Sequence, residues 1–454
     1  MGLESKHQTT PGRRGRRMAL LFLILAALVT LGGCDGVNLP FLDGSASEVA
    51  TPTEAVLETN PESDQDGVQA TPVASGPPMV TIWLPPQFDP GAGSRAGELL
   101  IEQIHAYRLE QPDLEYEIRI KAIDGRAGMM ESLAAARAAA PDAMPSMIAL
   151  QRMDLEIAAL KGLIYPLEGL TQVQDDVDWY GYARQMTLFQ EIPYGIPFAG
   201  DAMVLVYRPE MVSEIPESWP QILQIKEPLV FSARDKRAMM TLLLYQSLGG
   251  EVQNSLGYPV LQPEILEEVL TLYSEGVSEG VFPAWLTQVE TREQAWSSYE
   301  INDSAYIAAW ASEYLSEMPA DSTATRMITF NEEAMTYADS WLWAITELDT
   351  ETRQITAGLV EHLVQADFLT DWSLAAGYLP PRTTALSSWS NQSLQSLLHE
   401  VSLSAQVFPS SDIMFMLSSV LEEATMAVVG QRASPAEAAQ AAVERLNVAA
   451  QGSN

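Results

Sequence analysis

From Met79 onward the chain alternates short β-branched and aromatic runs with amphipathic helical runs, and this order constrains the fold more than any other feature. MVTIWL (79–84) reads as a strand, and the loop PPQFDPGAGSRAG leads into ELLIEQIHAYRLE, whose Leu100, Ile104 and Tyr107 share one helical face. QPDLEYEIRIKAI then reads as turn plus strand, ESLAAARAAA (131–140) as helix and PSMIAL (145–150) as strand. Strand–helix–strand order predicts a parallel sheet with crossover helices, an α/β lobe reaching to Phe198.

At 194–210 the rhythm breaks in YGIPFAGDAMVLVYRPE. Two prolines and two glycines surround the carboxylate of Asp201, and an apolar strand run follows it. Two readings stay open on these residues alone: a surface loop feeding a core strand, or a crossing between lobes that leaves Asp201 in a cleft. Beyond it, ESWPQIL starts a helix, LVFSARD (229–235) ends a strand, and MMTLLLYQSLGG is a helix closed by glycine. SAYIAAW (304–310) and ADSWLWAI (338–345) read as strands, and helical patterns run to the end. The last, SPAEAAQAAVERL, opens on a capping box of Ser434 and Glu437 with Pro435 at the first helical position. No repeat of 20–50 residues is visible.

The 454 residues, 47% of them hydrophobic, suffice for more than one core. With 25 Lys and Arg against 60 Asp and Glu, the net charge of −35 repels nucleic-acid phosphates. The N-terminus is different. RRGRR (13–17), the apolar MALLFLILAALVT (18–30) and LGGC (31–34) have the layout of a secretory signal over residues 1–33. The apolar run falls short of the roughly 20 residues of a membrane span. Small residues before the single cysteine, Cys34, resemble a bacterial lipobox, which makes Cys34 the expected site of lipidation and anchoring to the cell membrane. With no second cysteine, no intrachain disulfide supports the exported fold. Residues 35–78, rich in Ser, Thr, Pro, Glu, Asp and Gly, read as a disordered tether with a reach of roughly 35–40 Å.

Catalytic signatures are lacking. Gly91, Gly93 and Gly97 miss the dinucleotide spacing and read as a turn before a helix. There is no GK[ST] loop, HExxH or GxSxG, and the histidines at 7, 105, 362 and 399 lack metal-ligand spacing, so no metal or cofactor is expected. Carboxylates are abundant, which leaves a two-acid glycosidase as a minor alternative. The aromatics stand out instead: Trp83 and Trp310 close strands, and Trp341 and Trp343 follow Asp339. Flat indole faces suit sugar rings, Asp and Arg suit paired hydroxyls, and the carboxyl ends of strands are where open α/β sheets take ligands.

The order of segments resembles a bacterial ABC-transporter extracellular solute-binding protein of the sugar-binding group, over nearly all of 79–454. The most specific piece is YGIPFAGDAMVLVYRPEM followed by PESWPQIL; AAARAAAPDAMPSMIAL, LKGLIYPLEGL, YQSLGGE, AYIAAWASEYL, ADSWLWAI and AAGYLPPRTTAL follow in the family's order. The resemblance implies an α/β, type II periplasmic-binding-protein fold, two α/β lobes joined by hinge crossings. Lobe 1 would hold 79–200 and 338–376, and lobe 2 would hold 201–337 and 377–454, with crossings at 194–208, 325–338 and Gly377–Arg382. Asp201, Asp339, Trp341 and Arg382 would then lie by the cleft, Trp83 lining it from the first lobe and Trp310 from the second. It further implies a monomer that captures a sugar by closing its lobes and docks on permease subunits, with no enzymatic activity. A solute-sensing surface lipoprotein is the alternative within the same fold. Three departures bear on the ligand: Arg208 after Tyr207 where asparagine is usual, AAWASEY without the common glycine, and the first-strand loop with Pro85, Pro86 and Asp89.

Overall fold

A computed structural model describes residues 77–452 apart from 213, 303 and 331–332. The signal, Cys34 and nearly all of the tether therefore lie outside the described residues. The strands are β1 (Met79–Leu84), β2 (Glu115–Ile120), β3 (Met147–Gln151), β4 (Leu188–Phe189), β5 (Ile192–Pro193), β6 (Gly195–Tyr207), β7 (Leu229–Val230), β8 (Tyr306–Trp310), β9 (Thr323–Arg326), β10 (Thr336–Ile345) and β11 (Ala405–Val407). All but the β4–β5 hairpin join one nine-stranded sheet with the order β2-β1-β3-β10-β6-β8-β7; β9 pairs with β6 and β11 with β10.

The expected parallel sheet holds for β1, β2 and β3, and again for β7 with β8. At the centre, outside that reading, β10 runs antiparallel to both β3 and β6, and β6 antiparallel to β8 and β9. The sheet is mixed. Local pattern carries no strand direction, and β10 reaches its place only by returning from far along the sequence.

The stretch at 194–207 also corrects expectation. Instead of a turn before a strand, Gly195–Tyr207 is one buried strand of 13 residues, about 43 Å at the usual rise. Its first part pairs with β10 and its last part with β8 and β9. Pro197 cannot donate to a ladder, and the register shifts beside it, with Trp341 opposite Ala199 and Leu342 opposite Pro197. Phe198 is the extra residue of this bulge and stacks on Trp343 at 4.2 Å between ring centroids. Gly200 exchanges backbone hydrogen bonds with Leu379, at 2.9 and 2.8 Å. A Cβ on Gly200 would stand 2.4 Å from the Tyr182 hydroxyl and 2.7 Å from the Leu379 carbonyl oxygen. Glycine is there for close approach, not for a turn.

Helices cover both faces. Arg95–Glu110 buries Leu100, Ile104 and Tyr107, the face read from its spacing, against Ala366–Ala376 and Thr350–His362. Pro263–Glu279, Ser411–Val429 and Pro435–Gly452 pack on one another at the other end of the chain's path. Ser434 and Glu437 close their capping box in both directions, at 3.3 and 3.0 Å. Thr383–Ser387 packs on Ala366–Ala376, and Gln392–Ser404 on Gly181–Met186. Arg208, one of the departures, ties the end of β6 down: it pairs with Asp321 at 2.9 Å, donates to the Ser304 carbonyl at 2.7 Å and lies over Tyr299.

Gly200→Ala should destabilise the protein by about 1–3 kcal/mol through overpacking. Tyr182→Phe should restore part of that loss, because the Tyr182 hydroxyl is buried with no hydrogen-bond partner among the described residues. Urea midpoints of the two single variants and the double variant check this; an unshifted midpoint for Gly200→Ala would refute the close-packing account.

Candidate functional site

Asp201 and Asp339 face each other directly across the β6–β10 ladder, both buried. Like charges in that position repel, and burial adds to the cost of ionising either one. Burial raises both carboxyls above the usual range, and Asp339 raises Asp201 further. Each has an arginine nearby: Arg292 Nη1 stands 3.4 Å from Asp201, and Arg237 Nη1 stands 3.7 Å from Asp339.

The two aspartates are nevertheless differently employed. Asp201 accepts the Ser312 backbone N–H at 2.9 Å and its hydroxyl at 2.6 Å, as well as the Ala202 N–H. It thereby holds the first turn of the helix Ala311–Glu317, which follows β8. Among the described residues, Asp339 accepts only the Ser340 N–H, through Oδ1, and its other oxygen receives no hydrogen bond within 3.5 Å. The residue lines a cleft of about 490 Å³.

That cleft is built at the carboxyl ends of strands. Gln151 ends β3, Asp124 follows β2, Phe231 to Arg237 follow β7, and Trp310 ends β8; Met203 and Asp339 come from the crossing strands. This is where open α/β sheets place ligands. Asp235 shapes the loop after β7 by accepting the Arg237 and Met239 N–H groups, at 3.0 and 3.1 Å. Ala238 there takes a left-handed φ of 51°, a strained conformation for a residue with a Cβ. Arg292 opens the helix Arg292–Ile301, whose N-cap Thr291 forms a capping box with Gln294. An arginine at a helix N-terminus works against the dipole. Here Asp201, Glu313 and Asp339 outweigh both the dipole and burial, and the guanidinium's pKa is raised. Its guanidinium also lies 5.3 Å from the Trp310 ring centre.

Of the six residues picked from sequence, Trp310 and Asp339 line the cleft, and Asp201 sits behind it on Arg292. The other three do not line it. Trp341 shares the face of Asp339 but is covered by Phe88, edge-on at 5.6 Å, which also contacts Tyr378. Phe88 is carried in by the unusual loop after β1, where Pro86–Phe88 and Pro90–Ala92 form two tight turns. Trp83 is buried under Lys121, whose ammonium stands 4.4 Å from its ring. Arg382 stacks on Trp179 at 4.1 Å and pairs with Asp176 and Asp178, at 2.8 and 3.4 Å. Sequence reasoning missed Arg237, Arg292, Glu313 and Gln151. The signal available was the arginine just after a capping threonine, in a chain poor in basic residues.

Burial pushes the Glu313 carboxyl up to about 7, against the pull of Arg292 and of the Trp310 N–H it accepts at 2.9 Å. The folded protein then holds this proton between about pH 4.5 and 7 while the unfolded chain has lost it, so stability falls as pH rises through that window. Glu313→Gln removes the loss: the variant should be about 2–3 kcal/mol more stable at pH 8 and no different near pH 4. Parallel stability–pH curves for the two proteins would contradict this.

A family model described as bacterial extracellular solute-binding protein matches residues 106–395. A search of curated proteins finds no match. Among solved structures, maltose-bound MalE3 of T. maritima aligns with a TM-score of 0.65 at 15% identity, covering 82% of this chain and 99% of that one. The sugar-binding protein MalE of Xanthomonas citri aligns at 0.68 and 16% identity, covering 82% and 98%. The maltose-binding periplasmic protein MalE of Listeria monocytogenes, in complex with maltose, aligns at 0.68 and 12% identity, covering 84% and 100%. At such identities the likeness establishes the fold, the type II periplasmic-binding-protein fold of two α/β lobes joined by hinge crossings. The family comprises binding proteins that work outside the cytoplasm, not enzymes, and the glycosidase alternative falls with that. Mixed sheet, crossing strands, strand-end cleft and family match lead to one conclusion: the chain belongs to the bacterial extracellular solute-binding proteins.

Proposed function

We propose that this protein captures a sugar or oligosaccharide in the strand-end cleft and delivers it to the permease of an ABC importer. The observation that carries the reading is the meeting of Trp310, Asp339, Arg237 and Arg292 around one cleft at the crossing of β6 and β10. An indole face and hydrogen-bonding groups of both signs match a polyhydroxylated ring. Of the solved structures described above two are bound to maltose and one is of a sugar-binding protein, and another relative in fold is complexed with maltotetraose at 14% identity.

Capture proceeds by closure of two lobes about the crossings, a population shift whose extent equals the difference in solute affinity between open and closed states. The lobes we propose are 79–200 with 338–404, and 201–337 with 405–452. We place the third crossing after Ser404 and not at Gly377–Arg382, because Thr383–Ser387 packs on Ala366–Ala376, while Gln392–Ser404 touches both Gly181–Met186 and β9 and borders the two lobes. The acylated Cys34 and the 35–78 tether hold the body near the membrane, within reach of the permease.

Isothermal titration of the full chain, in detergent, against mono- and oligosaccharides tests the reading. One-to-one saturable binding is expected, weakened at least tenfold, about 1.4 kcal/mol, in Trp310→Ala. Trp83→Ala should lower stability without changing affinity. Silence of the folded protein across the panel would refute the sugar reading. For the anchor, Cys34→Ser should move the protein from the membrane fraction to the soluble fraction; unchanged fractionation would refute lipidation at that residue.

A further inference from the structure

The cleft carries more negative charge than its own cations neutralise, and the excess is local. Asp339 offers an oxygen that accepts no hydrogen bond, although the residue is only 8% exposed. Its one close cation, Arg237, stands 3.7 Å away and is itself partly exposed. Asp154, in the first turn of the helix Arg152–Leu160, interacts with the same groups: Asp124, Glu131 and Asp339 push its carboxyl up and Arg237 alone pulls it down. Burial is the largest cause, and together they bring it to about 6. Asp124 lines the cleft from the exposed loop after β2.

The other charges around the cleft are committed elsewhere. Asp235 caps its own loop, Glu290 pairs with Arg234 at 2.7 Å, and Arg292 faces Asp201. Arg152, beside Asp154 in sequence, is held by Glu156 at 2.8 Å. Asp339, Asp154 and Asp124 thus share Arg237 and Lys236, three acids against two cations, with Arg292 and Arg152 pulling on Asp339 as well. Among the described residues, no group of His, Cys, Asp and Glu is placed to hold a metal ion. An organic ammonium can satisfy the open Asp339 oxygen as a hydrogen-bond donor and relieve the repulsion in one step.

We propose that the solute carries a protonated amine beside its ring hydroxyls, an amino sugar, with the ammonium seated at Asp339 on the side of the cleft lined by Asp124. This rests on the sugar-binding reading and narrows it. The amine meets the carboxylates on the β3–β10 side of the cleft, and Trp310 supplies another wall. A neutral sugar leaves the Asp339 oxygen without a strong donor.

The test compares three probes on the full chain in detergent at pH 7: the disaccharide of glucosamine, its N-acetylated counterpart and maltose. N-acetylation removes the charge and keeps the ring, so the free amine should bind at least tenfold more tightly than the acetylated form. Asp339→Asn should narrow that ratio severalfold, and so should Asp124→Asn, which lies on an exposed loop and leaves the core untouched. Maltose binding as tight as that of the amine, or equal affinity for the amine and its acetylated form, would overturn the inference and keep the sugar-binding function. Binding of 1,4-diaminobutane with silence from every sugar, or silence from all probes, would overturn both.

Discussion

Everything in this fold hangs on the antiparallel ladder between β6 and β10. Each strand is long enough to serve both ends of the molecule, and the ladder between them is the stretch the two ends share. Because β10 also pairs with β3, and β6 with β8 and β9, no part of the sheet is more than a few strands from this ladder. It also fixes the chemistry. Direct pairing of Asp201 with Asp339 forces two carboxylates together in a buried position, and the arginines that approach them shape the cleft.

The two acids show how one residue type takes two roles under a single constraint. Asp201 has its oxygens filled by the turn that begins after Trp310, so it acts as a bracket, keeping the end of β8 and its helix in place. Asp339 keeps an oxygen open to the cleft. The asymmetry comes from neighbours, not from the strands: Ser312 gives both its N–H and its hydroxyl to Asp201, whereas Ser340 gives Asp339 only its N–H and turns its hydroxyl to backbone carbonyls.

What could be read in the sequence was what is local. The β-branched and aromatic runs at 79–84, 145–150 and 304–310, the buried face of Leu100, Ile104 and Tyr107, and the Ser434–Glu437 box all express themselves within a few residues, and they appear where the pattern placed them. Strand direction does not, and the antiparallel placing of β10 and β6 at the centre is absent from the local pattern. Pro197 and Gly200 looked like a turn because both residues usually end strands. Here one sits in a bulge and the other admits the Leu379 segment. The site divides in the same way. Trp310 and Asp339 were visible as strand-end residues, whereas the covering of Trp341 depends on Phe88, more than 250 positions away in the chain. Arg237 and Arg292 acquire meaning only from carboxylates that the ladder brings to them.

The Gly200–Leu379 bridge has a mechanical consequence. At that level β6 is bonded on both edges, to β10 on one side and to the 379 segment on the other, so three stretches far apart in sequence form a single narrow ribbon. A ribbon bonded along both edges cannot swing like a door on a loose loop. It yields by twisting, and a twist turns all three stretches together. Bending at this level, with β6 tied to a neighbour on each edge, carries the three stretches together.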